Sequence, residues 1–215
     1  IATIPNYLEI KNQEILYGVA GKSIGVYTAN NNRDLKAMFL FNSKPLQYDR
    51  HNAAEQKQIL ADVFAGEKGW EVAKLVEKIH DSTDFYLDFI AQAHMQVLYK
   101  GRIALAGDAA YCPSPASGQG TSVALVGAYV LAGELKNAGS DYDKAFAQYQ
   151  NVMQNFIAQN LKIAPVTLKG MIAPSKLNLY MRNMMFHMPR LFAGMNRQVM
   201  QFIQKAANSI TLKDY

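Results

Sequence analysis

Residues 101–135 read GRIALAGDAAYCPSPASGQGTSVALVGAYVLAGEL and carry the chain's clearest chemical pattern. A short apolar run ends at Gly107-Asp108, a proline-bearing loop follows, and Gly118-Gln119-Gly120 opens a second apolar run. The spacing implies strand, loop and helix start. Asp108 then sits where the strand ends, the edge at which open α/β sheets bind ligands. A carboxylate there accepts hydrogen bonds from sugar or polyol hydroxyls. Gly118 and Gly120 let backbone approach a ligand closely. The unpaired N–H groups of a helix beginning near Gly120 favour negative charge, and the macrodipole adds ~0.3–1 kcal/mol, up to about 2 kcal/mol where partly buried.

No Lys or Arg lies between Asp108 and Val123. A full phosphate normally recruits one, whereas a delocalised partial anion does not need it. The pattern therefore asks for a ligand with hydroxyls at one end and a diffuse, weakly anionic planar group at the other. A flavin answers that description, its ribityl chain beside Asp108 and the N1/C2=O edge of its ring at the helix start. The competing explanation is a tight strand-to-helix turn with a capping Asp, which a bare Gly-Asp and Gly-x-Gly would favour.

Other motifs carry less. Gly21-Lys22-Ser23 suggests a phosphate loop, but Leu16 stands where that pattern needs its first glycine. The segment also lies between strands, so Gly-Lys is read as a hairpin turn. His51, His80, His94 and His187 show no helical metal-binding spacing and are read as structural. Cys112 has no neighbouring base to activate it. The methionines at 181, 184, 185, 188, 195 and 200 are read as adaptable core.

The elements that must position the motif are legible from periodicity. Residues 14–42 read as strands separated by turns, with Leu35, Ala37, Phe39 and Phe41 on one face and Asn30-Asn31-Asn32 as a turn. An antiparallel sheet with one face covered follows. Whether Phe39, Phe41 and Tyr27 line a pocket or fill the sheet's core is not decided by alternation. Helices are expected over 53–65 and 70–80, and an extended segment from Asp84 to Met95. Residues 102–106 resemble a fully buried strand, and 120–135, apolar nearly all round, a buried helix. Gly127 and Gly133 would weaken that helix unless close packing requires them. It should stop near Asn137-Ala138-Gly139, with Asp141 capping the next helix and Phe146, Tyr149, Met153 and Phe156 as its apolar stripe. Pro165, Pro174 and Pro189 divide the remainder into short helices, the last over about 190–207 with Met195, Val199, Phe202 and Ala206.

With 215 residues, 50% hydrophobic and 18% charged, the chain has globular composition and enough length for a sizeable core. Net charge is +5, and from Lys144 to Lys213 nine Lys or Arg occur with no Asp or Glu. Such a tail suits an anionic partner (membrane surface, nucleic acid or acidic protein), but the charges are dispersed and are read as solvated helix faces. No nucleic-acid partner is expected. One cysteine excludes an internal disulfide framework and suits a reducing cytoplasm, where the protein is expected to reside. No apolar run has the length of a membrane span.

Gly107-Asp108-Ala109-Ala110, four residues, Pro115, two residues, Gly118-Gln119-Gly120, three residues and Ala124-Leu125 resemble the second FAD-binding motif of the single-component flavoprotein monooxygenases. That group holds hydroxylases like p-hydroxybenzoate hydroxylase and tetracycline-modifying enzymes. The resemblance implies that Gly107 and Asp108 meet the ribityl region and that Pro115 shapes the loop beside the ring. It sets the backbone N–H groups of Gly118, Gln119, Gly120 and Thr121 toward the pyrimidine edge. Tyr111 departs from the histidine common after Gly-Asp-Ala-Ala, and Thr121-Ser122 from a small residue and Asn.

The family's opening Gly-x-Gly-x-x-Gly is not found: Val123 stands where Gly118-x-Gly120 would need its third glycine. With a chain that starts at Ile1, the expectation is a carboxy-terminal portion of a larger enzyme, partnered by a missing amino-terminal FAD-binding half. The implied fold is mixed α/β and α+β. Residues 1–97 would be a sheet-rich substrate domain with two helices, 98–139 the last strand, loop and helix of a Rossmann-like FAD domain, and 140–215 carboxy-terminal helices. The implied activity is FAD-dependent, NAD(P)H- and O2-consuming hydroxylation of an apolar or aromatic small molecule, with no catalytic side chain because the flavin carries the chemistry. This portion alone is expected to retain FAD poorly and to be inactive. A flavin oxidoreductase without oxygen insertion and a non-catalytic membrane- or partner-binding module stay open as alternatives.

Overall fold

Four antiparallel strands form the first sheet: β1 (Ala2–Pro5), β2 (Glu14–Val19), β3 (Lys22–Ala29) and β4 (Asp34–Phe41), in the order β1-β4-β3-β2. The computed structural model describes residues 1–188 and 193–215 and separates them into two units. One comprises Ile1–Phe89 with Met171–Met184, the other Ile90–Gly170 with Met185–Tyr215.

In the first unit, Gly21 at φ +78° turns β2 into β3, the conformation a glycine adopts without strain. All three residues Asn30, Asn31 and Asn32 have positive φ between β3 and β4, which Asn tolerates better than most. Alternation on β4 buries Leu35, Ala37 and Phe39, and on β3 Ile24 and Val26. The covering helices are α1 (Ala53–Phe64) and α2 (Val72–His80). Asn52 caps α1 by accepting from the Glu55 N–H at 3.1 Å. Phe64 meets Phe39 edge-on at 5.0 Å and Phe41 at 6.2 Å. Phe39 and Phe41 are thus core, whereas Tyr27 is exposed.

The segment from Asp84 to Met95 forms no strand, contrary to its composition. Tyr86 exchanges backbone bonds with Ile1, and elsewhere side-chain bonds take the place of a ladder. The Asp84 carboxylate accepts from the Thr3 N–H at 2.7 Å, the Thr3 hydroxyl, and the Ser82 hydroxyl at 2.8 Å, and Asp88 accepts from the Tyr86 hydroxyl at 2.7 Å.

The second unit begins its regular structure with β5 (Tyr99–Lys100) and β6 (Ile103–Ala104), a two-stranded hairpin turned at Gly101. The expected buried strand over 102–106 is overturned: only two of its residues pair, and Ile103 is 69% exposed. After a one-turn helix α3 (Asp108–Tyr111) comes α4 (Gly120–Ala138), stopped at Gly139, and then α5 (Tyr142–Leu161). Asp141 caps α5 by accepting from the Lys144 N–H at 3.0 Å. The stripe Phe146, Tyr149, Met153 and Phe156 is buried. It packs with Val123 and Val130 of α4. Because α4 has a single packed face, with Leu125 68% and Tyr129 43% exposed, the expectation of burial all round is also corrected.

Gly127 and Gly133 of α4 sit where side chains press on the helix. A Cβ on Gly127 would overlap the Tyr111 hydroxyl, and one on Gly133 would overlap the Tyr215 ring. Below Gly133 the buried Glu134 accepts from Lys213 at 2.6 Å and from the Tyr215 hydroxyl at 2.8 Å. Burial pushes the Glu134 carboxyl up, but those two hydrogen bonds together hold it below its ordinary value. Residues 213–215 thereby lie along α4, and Tyr129 donates to the Lys213 carbonyl at 2.9 Å.

Three further helices follow: α6 (Ile163–Met171), which holds Pro165 in its first turn, α7 (Lys176–His187) and α8 (Ala193–Ala207). Pro189 and positions 190–192 of the expected last helix lie outside the described residues, as does the Met195 side chain. No described helix is long and apolar enough to cross a membrane.

Candidate functional site

The strand-loop-helix segment folds around a chain of backbone turns that glycine and serine make feasible. Gly107, at φ +62°, precedes α3, and its carbonyl accepts from the N–H groups of Ala110 and Tyr111, each at 3.0 Å. That tight turn makes Asp108 the first residue of α3, with its carboxylate side chain exposed. A Cβ on Gly107 would lie 3.8 Å from that of Ala124. The turn bearing Asp108 and the start of α4 are therefore in contact distance, although Gly107 and Ala124 are far apart along the chain.

Between them the loop is shaped by two serines. Ser114 is buried and holds φ +77°, ψ +145°, a region that non-glycine residues enter only at a cost of ~1–3 kcal/mol. Its carbonyl accepts from the Ser117 N–H at 3.0 Å and the Ser117 hydroxyl at 2.8 Å. Its own hydroxyl oxygen accepts from the Ala116 N–H at 3.2 Å. Pro115 opens the 3-10 turn Pro115–Ser117, where its missing N–H costs nothing. Gly118 follows in the left-handed region at φ +65°. The Ser117 oxygen then accepts from the Gln119 N–H at 3.0 Å. Serine oxygens thus accept from the loop's own amides at Ala116, Ser117 and Gln119.

Gln119 is the cap position of α4, with no side-chain cap among the described residues. The first intrahelical bond runs from the Val123 N–H to the Gln119 carbonyl at 2.9 Å. The N–H groups of Gly120, Thr121 and Ser122 precede it and have no carbonyl within the helix to meet. A Cβ at Gly118 or Gly120 would meet nothing within 4 Å, so the space where a side chain would stand at each glycine is open. Among the described residues these three N–H groups have no acceptor, and the positive field of a helix start is of the sign that favours a partial anion.

Of the residues read from sequence, the structure brings Gly107 against Ala124 near the start of α4, with the exposed Asp108 next in the chain. Pro115, Gly118, Gln119, Gly120 and Thr121 form one continuous turn into that helix. Sequence reading missed Ser114, Ser117 and Tyr149. Two serines three apart around a proline are a turn signal that could have found the first pair. Nothing in the local pattern marks Tyr149, which reaches this region from α5. Its hydroxyl lies 3.0 Å from the Leu105 carbonyl and 3.0 Å from the Tyr111 hydroxyl. Burial, with the hydrogen bond to Tyr111 second, pushes the Tyr149 phenol well above its usual range. The thiol of Cys112 is free and half-buried, and its carbonyl accepts from the Ala93 N–H at 3.0 Å.

Comparison with known proteins adds a consistent set of likenesses. No protein-family model matches the chain. It is 36% identical over 213 residues, 99% of its length, to a flavin-dependent monooxygenase of Legionella longbeachae serogroup 1, of which it covers 52%. The crystal structure of tetracycline destructase Tet(55) superposes with a TM-score of 0.82 at 35% identity, over 100% of this chain and 54% of that one. Tetracycline destructase Tet(51) gives 0.80 at 33% identity, over 100% and 54%. The chain thus spans about half the length of the relatives it matches.

Proposed function

We propose, for a chain that belongs to the FAD-dependent monooxygenases and spans about half of its relatives' length, that its strand-loop-helix segment holds the ribityl stem and ring edge of FAD. One observation carries the proposal: among the described residues no side chain caps the start of α4, the Cβ positions of Gly118 and Gly120 beside it are open, and the Gly107 turn that precedes Asp108 approaches Ala124 of the same helix. The cofactor fits what the residues offer. Asp108 would accept from ribityl hydroxyls, while the α4 amides would donate to the pyrimidine edge and favour negative charge there. Gly107, Gly118 and Gly120 give the close backbone approach, and Pro115 stiffens the loop between the two contacts.

When bound, FAD supplies the redox and oxygen-activating chemistry. This chain's part is to bind, orient and polarise. A fixed array of amides aimed at one edge of the ring stabilises charge without reorganising as that charge develops. The charged diphosphate of FAD needs a further anchor than this segment contains, and the remaining half of the enzyme would supply it. The activity proposed for the whole protein is oxygen insertion into an apolar or aromatic small molecule, with NAD(P)H as reductant. Since similar structures are tetracycline destructases, a tetracycline is the first substrate to try.

The binding reading is tested by titrating FAD into the full-length natural protein and its Asp108→Ala variant, following quenching of flavin fluorescence. Loss of charge-assisted hydrogen bonds should weaken binding by about tenfold or more. Equal affinity in the two proteins would sink the assignment of Asp108. Isotopically labelled O2 then separates oxygen insertion from simple flavin reduction: label in the product is expected, and unlabelled product would replace the monooxygenase by an oxidoreductase.

A further inference from the structure

We infer that Tyr149 is a positioning residue for the proposed flavin cradle, fixing the separation of Asp108 from the α4 amides through Tyr111. The inference rests on the flavin reading above and deepens it. Asp108 lies between Leu105 and Tyr111, and both of these are held by one hydroxyl from another helix. Tyr149 on α5 is fully buried, with its oxygen 3.0 Å from the Leu105 carbonyl and 3.0 Å from the Tyr111 oxygen. A phenol has one proton. The carbonyl can only accept, so Tyr149 donates to Leu105 and accepts from Tyr111, and both tyrosine protons are used.

Tyr111 also reaches the opposite side of the cradle. Its hydroxyl occupies the place of a side chain at Gly127 on α4, and the Cε of Met153 would be 3.3 Å from a Cβ there. Any displacement of the Tyr111 ring therefore moves the α3 turn against α4. At the near end the same two elements touch at Gly107 and Ala124, 3.8 Å from a Cβ on Gly107. Two contacts, one at each end of the Asp108 turn, set the turn's distance and tilt relative to α4. The Tyr149 hydroxyl closes the inner one.

Two readouts separate positioning from bulk stability. In the full-length natural protein, FAD affinity and the thermal midpoint without FAD are measured for Tyr149→Phe, Tyr111→Phe, Asp108→Ala and the double variant Tyr149→Phe/Asp108→Ala. Removing either hydroxyl leaves a buried partner unmet, and each Phe variant should weaken FAD binding by about tenfold. In the Asp108→Ala background, Tyr149→Phe should cause no further loss, because the group it positions is gone. Additive losses, or a Phe variant with lowered midpoint and unchanged affinity, would overturn the inference while leaving the flavin reading intact. An Asp108→Ala protein with unchanged affinity would instead remove the flavin reading itself. Should Tyr149→Phe not fold, the same cycle with Tyr111→Phe decides.

Discussion

The Tyr111 hydroxyl fills the volume that any side chain at Gly127 would require, and its ring carbon Cζ would stand 2.8 Å from a Cβ at that position. A mid-helix glycine is thus the complement of a buried phenol. Gly127→Ala gains about 1 kcal/mol of helix propensity but forces the tyrosine or the helix to shift. The expected net effect is a loss of about 1–3 kcal/mol, as for other overpacked sites. Urea unfolding measures it. A variant as stable as the parent would show that the contact is loose.

Ser114 gives an inverted ranking. At φ +77° a glycine is at ease and an alanine is not. Ser114→Gly should match the parent's stability within about 1 kcal/mol, whereas Ser114→Ala loses the hydroxyl acceptor and keeps the strain. Denaturation midpoints of the pair check the order, and an alanine variant more stable than the glycine one contradicts the backbone geometry.

Ser117→Ala removes the acceptor of the Gln119 N–H and the donor to the Ser114 carbonyl. With the site mostly buried, the cost should be about 1–2 kcal/mol, accompanied by weaker FAD binding because the turn into α4 loosens. Calorimetry with and without FAD reads both. Unchanged values for both would mean that the 3-10 turn holds without this hydroxyl.

Glu134→Gln should destabilise the chain by about 2 kcal/mol, since a buried carboxylate loses charge-assisted bonds from Lys213 and Tyr215. Deleting residues 213–215 in the parent should cost more than deleting them in the Glu134→Gln protein, because the two changes remove shared contacts. Equal costs would show that the strap and the carboxylate act independently.

Asp84 supplies a pH signature. The Thr3 hydroxyl first, and then the Thr3 N–H, Ser82 and Lys36 against an opposing burial effect, hold its carboxyl far below the ordinary value of 3.8. A depressed folded pKa means that the stabilisation is complete above that ordinary value and fades as pH falls toward the folded one. The parent's advantage over Asp84→Asn should be constant near neutrality and shrink only below about pH 4. Urea melts from pH 7 down to pH 3 test this, and a difference that grows with acidity would reverse the assignment.

Periodicity made β2 to β4, α1, α2 and α5 legible because each has one face that must leave water; β1 was not read, and α4 was read as a helix but as one buried all round. Phe39 and Phe41 were placed on the right face, though only the Phe64 contacts settle them as core. The reading failed where composition spoke without a partner. FYLDFI holds strand formers, but among the described residues its backbone exchanges bonds with Ile1 at Tyr86 alone, while the Asp84 and Asp88 carboxylates bond Thr3 and Tyr86, and no strand forms. In RIALA, the apolar run is real but among the described residues its backbone pairs with 98–100 alone, and Ile103 stays exposed. Gly127 and Gly133 were legible as glycines in need of a reason, and the reasons proved to be Tyr111 and Tyr215. The serine-built loop and the Tyr149 bridge were not, since a positive φ at Ser114 and a contact across 44 residues leave no periodic trace.

The Ser114–Gln119 turn spends its hydroxyls on its own amides. Its shape is therefore settled during folding, and no loop entropy is left to be surrendered when a ligand arrives. A guest entering such a loop gives up its own freedom and little of the host's. Binding there should be fast to equilibrate and insensitive to osmolytes that tighten floppy chains.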